Sequence, residues 1–283
     1  VYTKRGPAAL LSHLDLIRAL PRAFRRVDVP LFYTIGFHPK PDMTFGPALT
    51  LGTASLAEIV DVKITADIDA PAMLASLTAG SPRGLEFLAA TVLGPRDPAV
   101  TKLIDGARYV LAFANKDLAP LGGRAWLEER VAAFLAAPEL RHKRVIDGIG
   151  KWVDVRSFVR AMKLGGDDAL APAGLHGDFT SITIDVDIRP NGAVRLEEIV
   201  KTLAGESGDQ VGGGTTPEPF GLRVGLGAWS GDALVSPMDL ETARELHRAR
   251  SAIAAALAAP PVALLATVDT VPSPPPVLEV SAE

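Results

Sequence analysis

The 283-residue sequence predicts an α+β protein made of two tandem ferredoxin-like halves, each with the element order β-α-β-β-α-β. Two observations predict this fold class. Segments with strand periodicity alternate with segments of helical periodicity, and the element order of the first half recurs after a linker at 94–98. The predicted units are a first half at 1–98, a second half at 105–232, a C-terminal helix at 236–259 and a disordered proline-rich tail at 260–283.

Caps and turn formers mark the elements of the first half. Ser12 followed by Asp15 three residues later is typical of a helix start. Apolar residues at helical spacing extend this helix, and we expect them to face the core: Leu14, Ile17, Leu20, Phe24 and Val27. Pro21 lies within the pattern and predicts a kinked or divided helix. The other predicted elements are strands at 1–3, 31–35, 43–49, 58–64 and 85–93 and a short helix at 71–78.

The second half contains the clearest strand of the sequence. At 181–188, apolar residues at even positions alternate with polar ones, which is typical of a strand with one buried and one wet face. The other predicted elements are strands at 108–114 and 222–226, strand-forming residues at 140–155, and helices at 124–137 and 195–203. A glycine-rich stretch at 206–221 predicts a mobile loop. The tail has neither helical nor strand period, which predicts disorder.

Cysteine is absent from the sequence, and its absence excludes several classes of function. A disulfide framework, a zinc ribbon, a thiolate nucleophile and a cysteine-ligated iron–sulfur cluster all require it. The sequence also lacks the phosphate-binding motif GxxxxGK[ST] and the motifs GxGxxG, HExxH and GxSxG. We therefore expect no cofactor, and we assign no catalytic residue.

The sequence predicts no membrane partner. The N-terminus shows no apolar core of a signal peptide. The best candidate for a membrane span, at 252–271, is mostly alanine and is broken by Pro260 and Pro261. The lack of cysteine also fits a reducing compartment, so we expect a cytoplasmic protein.

Charge is distributed unevenly along the chain. The net charge is −4, but residues 1–46 contain seven Lys and Arg against three Asp, a net +4, which leaves −8 for the remainder. A basic N-terminal region on an acidic body indicates a partner that is anionic and binds locally.

The basic residues of the first predicted helix are spaced to share one face. Arg18, Arg22, Arg25 and Arg26 lie at i, i+4, i+7 and i+8, and we expect Lys4, Arg5 and Lys40 to extend this cationic stripe. Nearby aromatic residues are typical of surfaces on which unpaired bases stack: Tyr33, Phe37 and Phe45. The stripe predicts a surface that contacts the phosphates of RNA or another polyanion. The alternative is an ordinary solvated helix face, with the phenylalanines of the loop at 36–47 packed into the core.

Two histidines flank this region. His13 and Asp15 are two residues apart and point in different directions on a helix, which argues against a direct dyad. If His13 meets His38 across the sheet, two imidazoles and a carboxylate form a set suited to a metal or to acid–base chemistry. The alternative is one solvent-touching histidine and one loop histidine, and we assign no metal ligand.

The first 65 residues carry motifs of a known family. These are Ser12-His13-Leu14-Asp15, the basic helix, Gly36-Phe37-His38-Pro39, and Phe45-Gly46-Pro47 with Gly52, followed by the acidic strand at 58–61. Together they resemble the radical-SAM-associated domain, an uncharacterised family that is found alone or fused behind a cobalamin-binding radical SAM enzyme. The resemblance implies a cytoplasmic bacterial protein that works with a radical SAM partner in RNA metabolism. The chain is not itself that enzyme, because the cluster needs three cysteine ligands.

Two functions from different classes follow. The first is a non-catalytic accessory module that docks RNA, the radical SAM partner or both through the basic helix and the aromatic loop. The second is an RNA-processing endonuclease in which His13 activates a ribose 2′-hydroxyl and Lys4 or Arg18 stabilises the developing charge. We prefer the module, because the sequence shows no acid–base pair at a readable spacing.

Overall fold

An eight-stranded mixed sheet forms the centre of the chain, whose computed structural model describes residues 1–146, 148–190, 192–205 and 217–258. The helices of these residues are α1 (His13–Arg26), α2 (Ala70–Gly80), α3 (Asn115–Leu118), α4 (Gly123–Ala136), α5 (Leu196–Leu203) and α6 (Leu240–Ala258). The strands are β1 (Tyr2–Lys4), β2 (Met43–Phe45), β3 (Ala54–Glu58), β4 (Val60–Val62), β5 (Gly106–Ala114), β6 (Arg141–Ile146), β7 (Ile149–Asp154), β8 (Val159–Leu164), β9 (Phe179–Arg189), β10 (Gly192–Ala193), β11 (Phe220–Ser230) and β12 (Ala233–Val235). The α+β class predicted from the sequence is confirmed.

The large sheet has the strand order β1-β3-β11-β5-β9-β10, with β8 paired to β9 and β12 paired to β11. Its neighbours are antiparallel, except that β3 and β11 are parallel. Two further pairs, β2–β4 and β6–β7, form separate two-stranded sheets. Because β3 lies in the predicted first half and β11 in the second, strands from both halves share one sheet. The division into two ferredoxin-like halves stays a prediction.

Two apolar clusters hold helices α1 to α5. Phe134 of α4 and Ile199 of α5 belong to a cluster with Leu111 of β5 and Ile184 of β9. A second cluster lies under α1 and α2, and it contains Leu16, Leu20, Phe24, Leu77 and Phe87. Burial of these side chains stabilises α1 through one face and leaves its opposite face for contacts with solvent or a partner.

The predicted start of α1 is confirmed as a capping box. The Asp15 backbone N–H donates to Ser12 Oγ at 3.2 Å, and the Ser12 N–H donates to Asp15 Oδ2 at 2.9 Å. Pro21 does not divide the helix, which continues to Arg26. Pro21 is buried beside Leu20, so apolar packing offsets the backbone hydrogen bond that proline cannot donate.

The prediction that Leu14 and Ile17 face the core is wrong. Leu14 is 63% exposed and Ile17 is 38% exposed, whereas Leu16 and Leu20 are buried. At about 3.6 residues per turn, Leu14 lies on the side of the helix opposite Leu16 and close to Arg18 and Arg25. The cationic face of α1 therefore includes an exposed leucine.

Two predicted strands are also wrong. Residues 31–35 form only the isolated bridges Leu31–Ile64 and Tyr33–Pro41, and residues 85–93 form only the bridge Phe87–Tyr2. The ladder between 31–35 and 40–42 stays short because the Phe32 N–H donates to the Lys63 carbonyl and the Lys40 N–H donates to the Thr34 hydroxyl. At 85–93 the pairing partner is β1, which spans only three residues.

The C-terminal part of the described chain ends with α6, which lies within the helix predicted at 236–259. The predicted tail at 260–283 and residues 206–216 of the predicted glycine-rich loop lie outside the described residues. Of the helices in the described ranges, none combines the length and the apolar composition needed to cross a bilayer.

Candidate nucleic-acid interface

Residues 32–42, here called the 32–42 hairpin, fold back on themselves. The Asp42 N–H donates to the Phe32 carbonyl at 2.9 Å, and the Thr34 N–H donates to the Lys40 carbonyl at 2.8 Å. Gly36 at the tip has φ of 148°, a backbone angle that side-chain-bearing residues rarely adopt. The two residues beside it, Ile35 and Phe37, are fully exposed. The hairpin therefore presents two large apolar side chains to solvent.

The two phenylalanines predicted for this region lie in different surroundings. Phe37 is at the exposed tip, so it does not pack the loop into the core. Phe45 of β2 is half-buried, and its ring meets the His13 ring edge-on with the centroids 5.6 Å apart. Of the two, only Phe37 presents its whole ring to a ligand in the unbound chain.

Arginines of α1 lie beside the hairpin. Arg18, Arg22, Arg25 and Arg26 are all exposed, and Arg25 Nη1 donates to the Tyr33 hydroxyl at 3.5 Å. Within the described part of the chain, Arg18, Arg22 and Arg25 form no salt bridge. Asp15, three residues before Arg18, accepts hydrogen bonds from Ser12, and these bonds are the main cause of the lowered pKa of Asp15. Positive charge on this face is therefore only weakly compensated.

Lys40 and His38 extend the exposed surface along the hairpin, but Lys4 and Arg5 do not extend it. Lys4 is 1% exposed, and its Nζ donates to the Ala9 carbonyl at 2.9 Å. Arg5 pairs with Glu86 at 3.1 Å and donates to the Pro172 carbonyl at 2.7 Å. Lys4 is buried, which corrects the expectation that it joins the cationic stripe, and Arg5 is partly exposed but already paired with Glu86.

The Arg5–Glu86 contact gives a pH prediction. Burial tends to raise the pKa of Glu86, but hydrogen bonds from Thr3, Arg5 and the backbone outweigh it and lower this pKa from 4.5 to about 2. A lowered folded-state pKa adds stability above the unfolded value, and this contribution is lost as pH falls from about 4.5 to 2. We expect unfolding curves recorded between pH 6 and about 2 to show that Glu86→Gln loses less of its free energy of unfolding at low pH than the unchanged chain does.

Thr3→Ala provides a graded control, because it removes one of the hydrogen bonds to the same carboxylate. The free energy of unfolding that Thr3→Ala loses at low pH should lie between the losses of the unchanged chain and of Glu86→Gln. Equal losses in all three proteins would show that Glu86 is not the group responsible.

The structure does not bring the two histidines into a metal set. His13 begins α1 and packs against Phe45, whereas His38 is exposed on the hairpin. Across the described ranges, no three His, Cys, Asp or Glu side chains group as metal ligands would.

A buried ionic network connects strands β3, β5 and β11. Arg223 of β11 is 1% exposed, and its Nη1 donates to Glu58 Oε1 of β3 at 2.9 Å. Its Nε and Nη2 donate to the Tyr109 hydroxyl of β5 at 3.1 and 3.0 Å. The same guanidinium donates to the carbonyls of Pro47 at 3.0 Å and Ala48 at 3.4 Å. Arg223 thus connects the large sheet to the segment that follows β2.

Lys4 adds a second cation to this network. Burial lowers the pKa of Lys4, an effect that Glu58 partly offsets. Lys4, Glu58, His13 and Phe45 line a cavity of about 10 Å³, which is room for about one water molecule. The segments that carry the sequence motifs therefore meet around a small, nearly filled interior.

Sequence analysis missed the roles of Arg223 and Tyr109, and it noted Glu58 only as part of an acidic strand. One signal was present, since Arg223 interrupts the apolar run of the strand predicted at 222–226. A charged residue in such a run indicates either a wet face or a buried partner, and sequence alone does not distinguish them.

One protein-family model matches residues 1–195, which is well over half of the chain. The chain belongs to that family, the uncharacterised proteins conserved in bacteria called DUF2344. No curated protein matches the chain. The part matched to DUF2344 contains α1, the 32–42 hairpin, Glu58 and Tyr109, whereas Arg223 lies beyond it.

Proposed function

We propose that this DUF2344 protein is a non-catalytic module that docks single-stranded RNA on the exposed face of α1 and on the 32–42 hairpin. The observation that carries the proposal is the full exposure of Phe37 beside arginines that form no salt bridge within the described chain. An unburied aromatic ring suits base stacking, and exposed guanidinium groups without a salt bridge in the described chain suit phosphate contacts.

The spacing of the cations supports a linear anionic ligand. Arg18 and Arg25 are seven residue steps apart on one helix, about 10 Å at 1.5 Å per step, with Arg22 between them. Arg25 also contacts Tyr33 at the base of the hairpin, so the helix face continues into the hairpin surface. A backbone that follows the helix would leave its bases within reach of the tip.

A second candidate function uses the same face for a protein. Leu14, Ile17 and Ile35 are exposed aliphatic side chains, which stack poorly with bases but are common at protein interfaces. The resemblance noted above makes a radical SAM enzyme the partner that we propose for this second role. RNA and the enzyme would then compete for, or share, one surface.

The endonuclease alternative has weaker support. His13 and Lys4 line the same cavity, as that hypothesis requires, but its volume of about 10 Å³ does not accommodate a ribose. Lys4 Nζ is also already bonded to the Ala9 carbonyl. We therefore do not extend the proposal to RNA cleavage.

Salt titrations test the phosphate contacts. We expect Arg22→Ala and Arg25→Ala each to weaken the binding of many single-stranded RNA sequences and to reduce the slope of log affinity against log salt by about 0.7. The matched control is Arg124→Ala, on α4, which removes an exposed arginine paired with Glu128. Labelled oligonucleotides and fluorescence anisotropy at several salt concentrations measure both quantities. Unchanged slopes in both α1 variants would contradict phosphate contact by this helix.

A further inference from the structure

A second basic and aromatic surface lies on the two-stranded sheet β6–β7, here called the β6–β7 ribbon. Its register pairs Lys143 with Trp152, Val145 with Gly150 and Ile146 with Ile149. Trp152 is 45% exposed, a large exposure for the largest apolar side chain. None of the contacts predicted from the sequence involves this ribbon.

One face of the ribbon packs on the fold. Arg144 forms a bidentate pair with Glu198 of α5 at 2.6 and 2.7 Å, and it also donates to the Ala193 carbonyl at 3.0 Å. At the base, the Leu140 N–H donates to Asp154 Oδ1 at 3.1 Å. These bonds fix the orientation of the ribbon.

The opposite face is open to solvent. Because side chains alternate along a strand, Lys143 and Trp152 share the face that Arg144 does not use, together with Arg141, Val145 and Gly150. All five of these residues are exposed. The Lys143 ammonium lies 5.8 Å from the centre of the indole ring, within the range of a cation–π contact.

Glycine at position 150 leaves room for the Lys143 side chain. A Cβ atom there would lie 2.9 Å from Cε of Lys143. Because position 150 has no side chain, the Lys143 side chain can extend toward Trp152. On the Gly150 side, no side chain of β7 covers the Trp152 ring.

The charges of the ribbon favour an anion. Residues 141–154 contain Arg141, Lys143, Arg144 and Lys151 against two aspartates, and His142 adds a cation when protonated. Lys151 forms no salt bridge within the described residues, and Arg141 pairs with Glu139 where both side chains are well exposed. An exposed surface pair of this kind contributes little and exchanges readily with a phosphate.

We propose that the β6–β7 ribbon is a second contact for single-stranded RNA, in which Trp152 stacks on a base while Lys143 and Arg141, on the same face, contact the flanking phosphates. This inference rests on the proposed function, since it assigns a second surface to the same ligand. A tryptophan beside a lysine and an arginine matches the chemistry of single-strand binding, where aromatic platforms and cations alternate.

The test measures affinity and fluorescence together. The probe is a labelled single-stranded RNA of mixed sequence, and the proteins are the full chain, Trp152→Ala, Trp152→Phe and Ile149→Ala. Trp152→Ala should weaken binding by about 5- to 100-fold, whereas Trp152→Phe keeps a ring and most of the affinity. Ile149→Ala removes an exposed apolar residue of the same ribbon and should leave affinity unchanged. RNA should quench the tryptophan emission of the unchanged chain more than that of Trp152→Phe.

Phe37→Ala separates this inference from the proposed function. If Phe37→Ala weakens binding and Trp152→Ala does not, the ribbon proposal is overturned and the α1 surface stands. If only Trp152→Ala weakens binding, the ribbon stands and the α1 proposal fails. The ribbon proposal would also be overturned if the emission of Trp152 responded to phosphatidylserine vesicles or to a protein but not to RNA. Melting curves of each variant show that lost affinity does not come from unfolding.

Discussion

Replacing Arg223 with methionine should lower the free energy of unfolding by about 3–5 kcal/mol. The change leaves the Glu58 carboxylate, which is 4% exposed, without its cationic partner at 2.9 Å. It also removes the donors to the Pro47 and Ala48 carbonyls. Removing one partner of a buried ion pair costs far more than the net contribution of the pair, because the remaining charge stays buried.

Urea unfolding followed by circular dichroism measures this effect. Arg141→Met is the matched control, since it breaks a salt bridge with Glu139 in which both side chains are about half exposed or more. Such a pair contributes at most about 1 kcal/mol. The double variant Arg223→Met with Glu58→Gln should be less destabilised than the sum of the single variants, because it does not leave a charged Glu58 buried without Arg223. A cost for Arg223→Met as small as that of Arg141→Met would contradict the network.

Phe37→Ala should weaken the binding of single-stranded RNA by about 1–3 kcal/mol and leave the melting temperature unchanged. The ring is fully exposed in the unbound chain, so its removal costs the fold little. The slope of affinity against salt should change little, because a stacked ring releases no counterions. This separates the expected effect of Phe37 from that of the α1 arginines.

Anisotropy titrations and melting curves of two companion variants complete that prediction. Phe37→Trp keeps an aromatic face and should retain affinity, whereas Leu88→Ala removes an exposed apolar residue elsewhere and should have no effect. Equal loss of affinity in Phe37→Trp and Phe37→Ala would argue against stacking. A fall in melting temperature for Phe37→Ala would indicate that the tip packs against other residues.

Local chemistry was predictable from the sequence. The capping box of Ser12 and Asp15 depends on residues three apart, and it is present at the start of α1. The alternation at 181–188 depends on a period of two, and these residues form part of β9. The Gly36 turn likewise belongs to residues that are close in sequence. These features need no knowledge of the rest of the chain.

Contacts between distant residues were not predictable in the same way. Arg223 meets Glu58 across 165 residues, and Lys4 meets Thr53 across 49, so their burial depends on how the sheet assembles. The orientation of α1 shows the same limit. Helical spacing identified an amphipathic helix, but only packing decides that Leu16 is buried and Leu14 is exposed.

The surfaces proposed for binding follow this division. Arginine spacing on α1 identified the cations in advance, whereas the exposure of Phe37 and the burial of Lys4 came from the fold. The β6–β7 ribbon lies in a segment where the sequence indicated strands and no ligand. Its open face depends on the strand register and on α5, which holds the opposite face through Glu198.

Photochemical cross-linking tests the central claim most directly. A single-stranded RNA containing 4-thiouridine is irradiated with the full chain at low salt, and mass spectrometry locates the peptides that carry nucleotide. The account predicts cross-links at the 32–42 hairpin, centred on Phe37 and Tyr33, which are lost when unlabelled RNA competes. Cross-links that lie only on other surfaces, or the absence of any cross-link above that of a control protein, would contradict it.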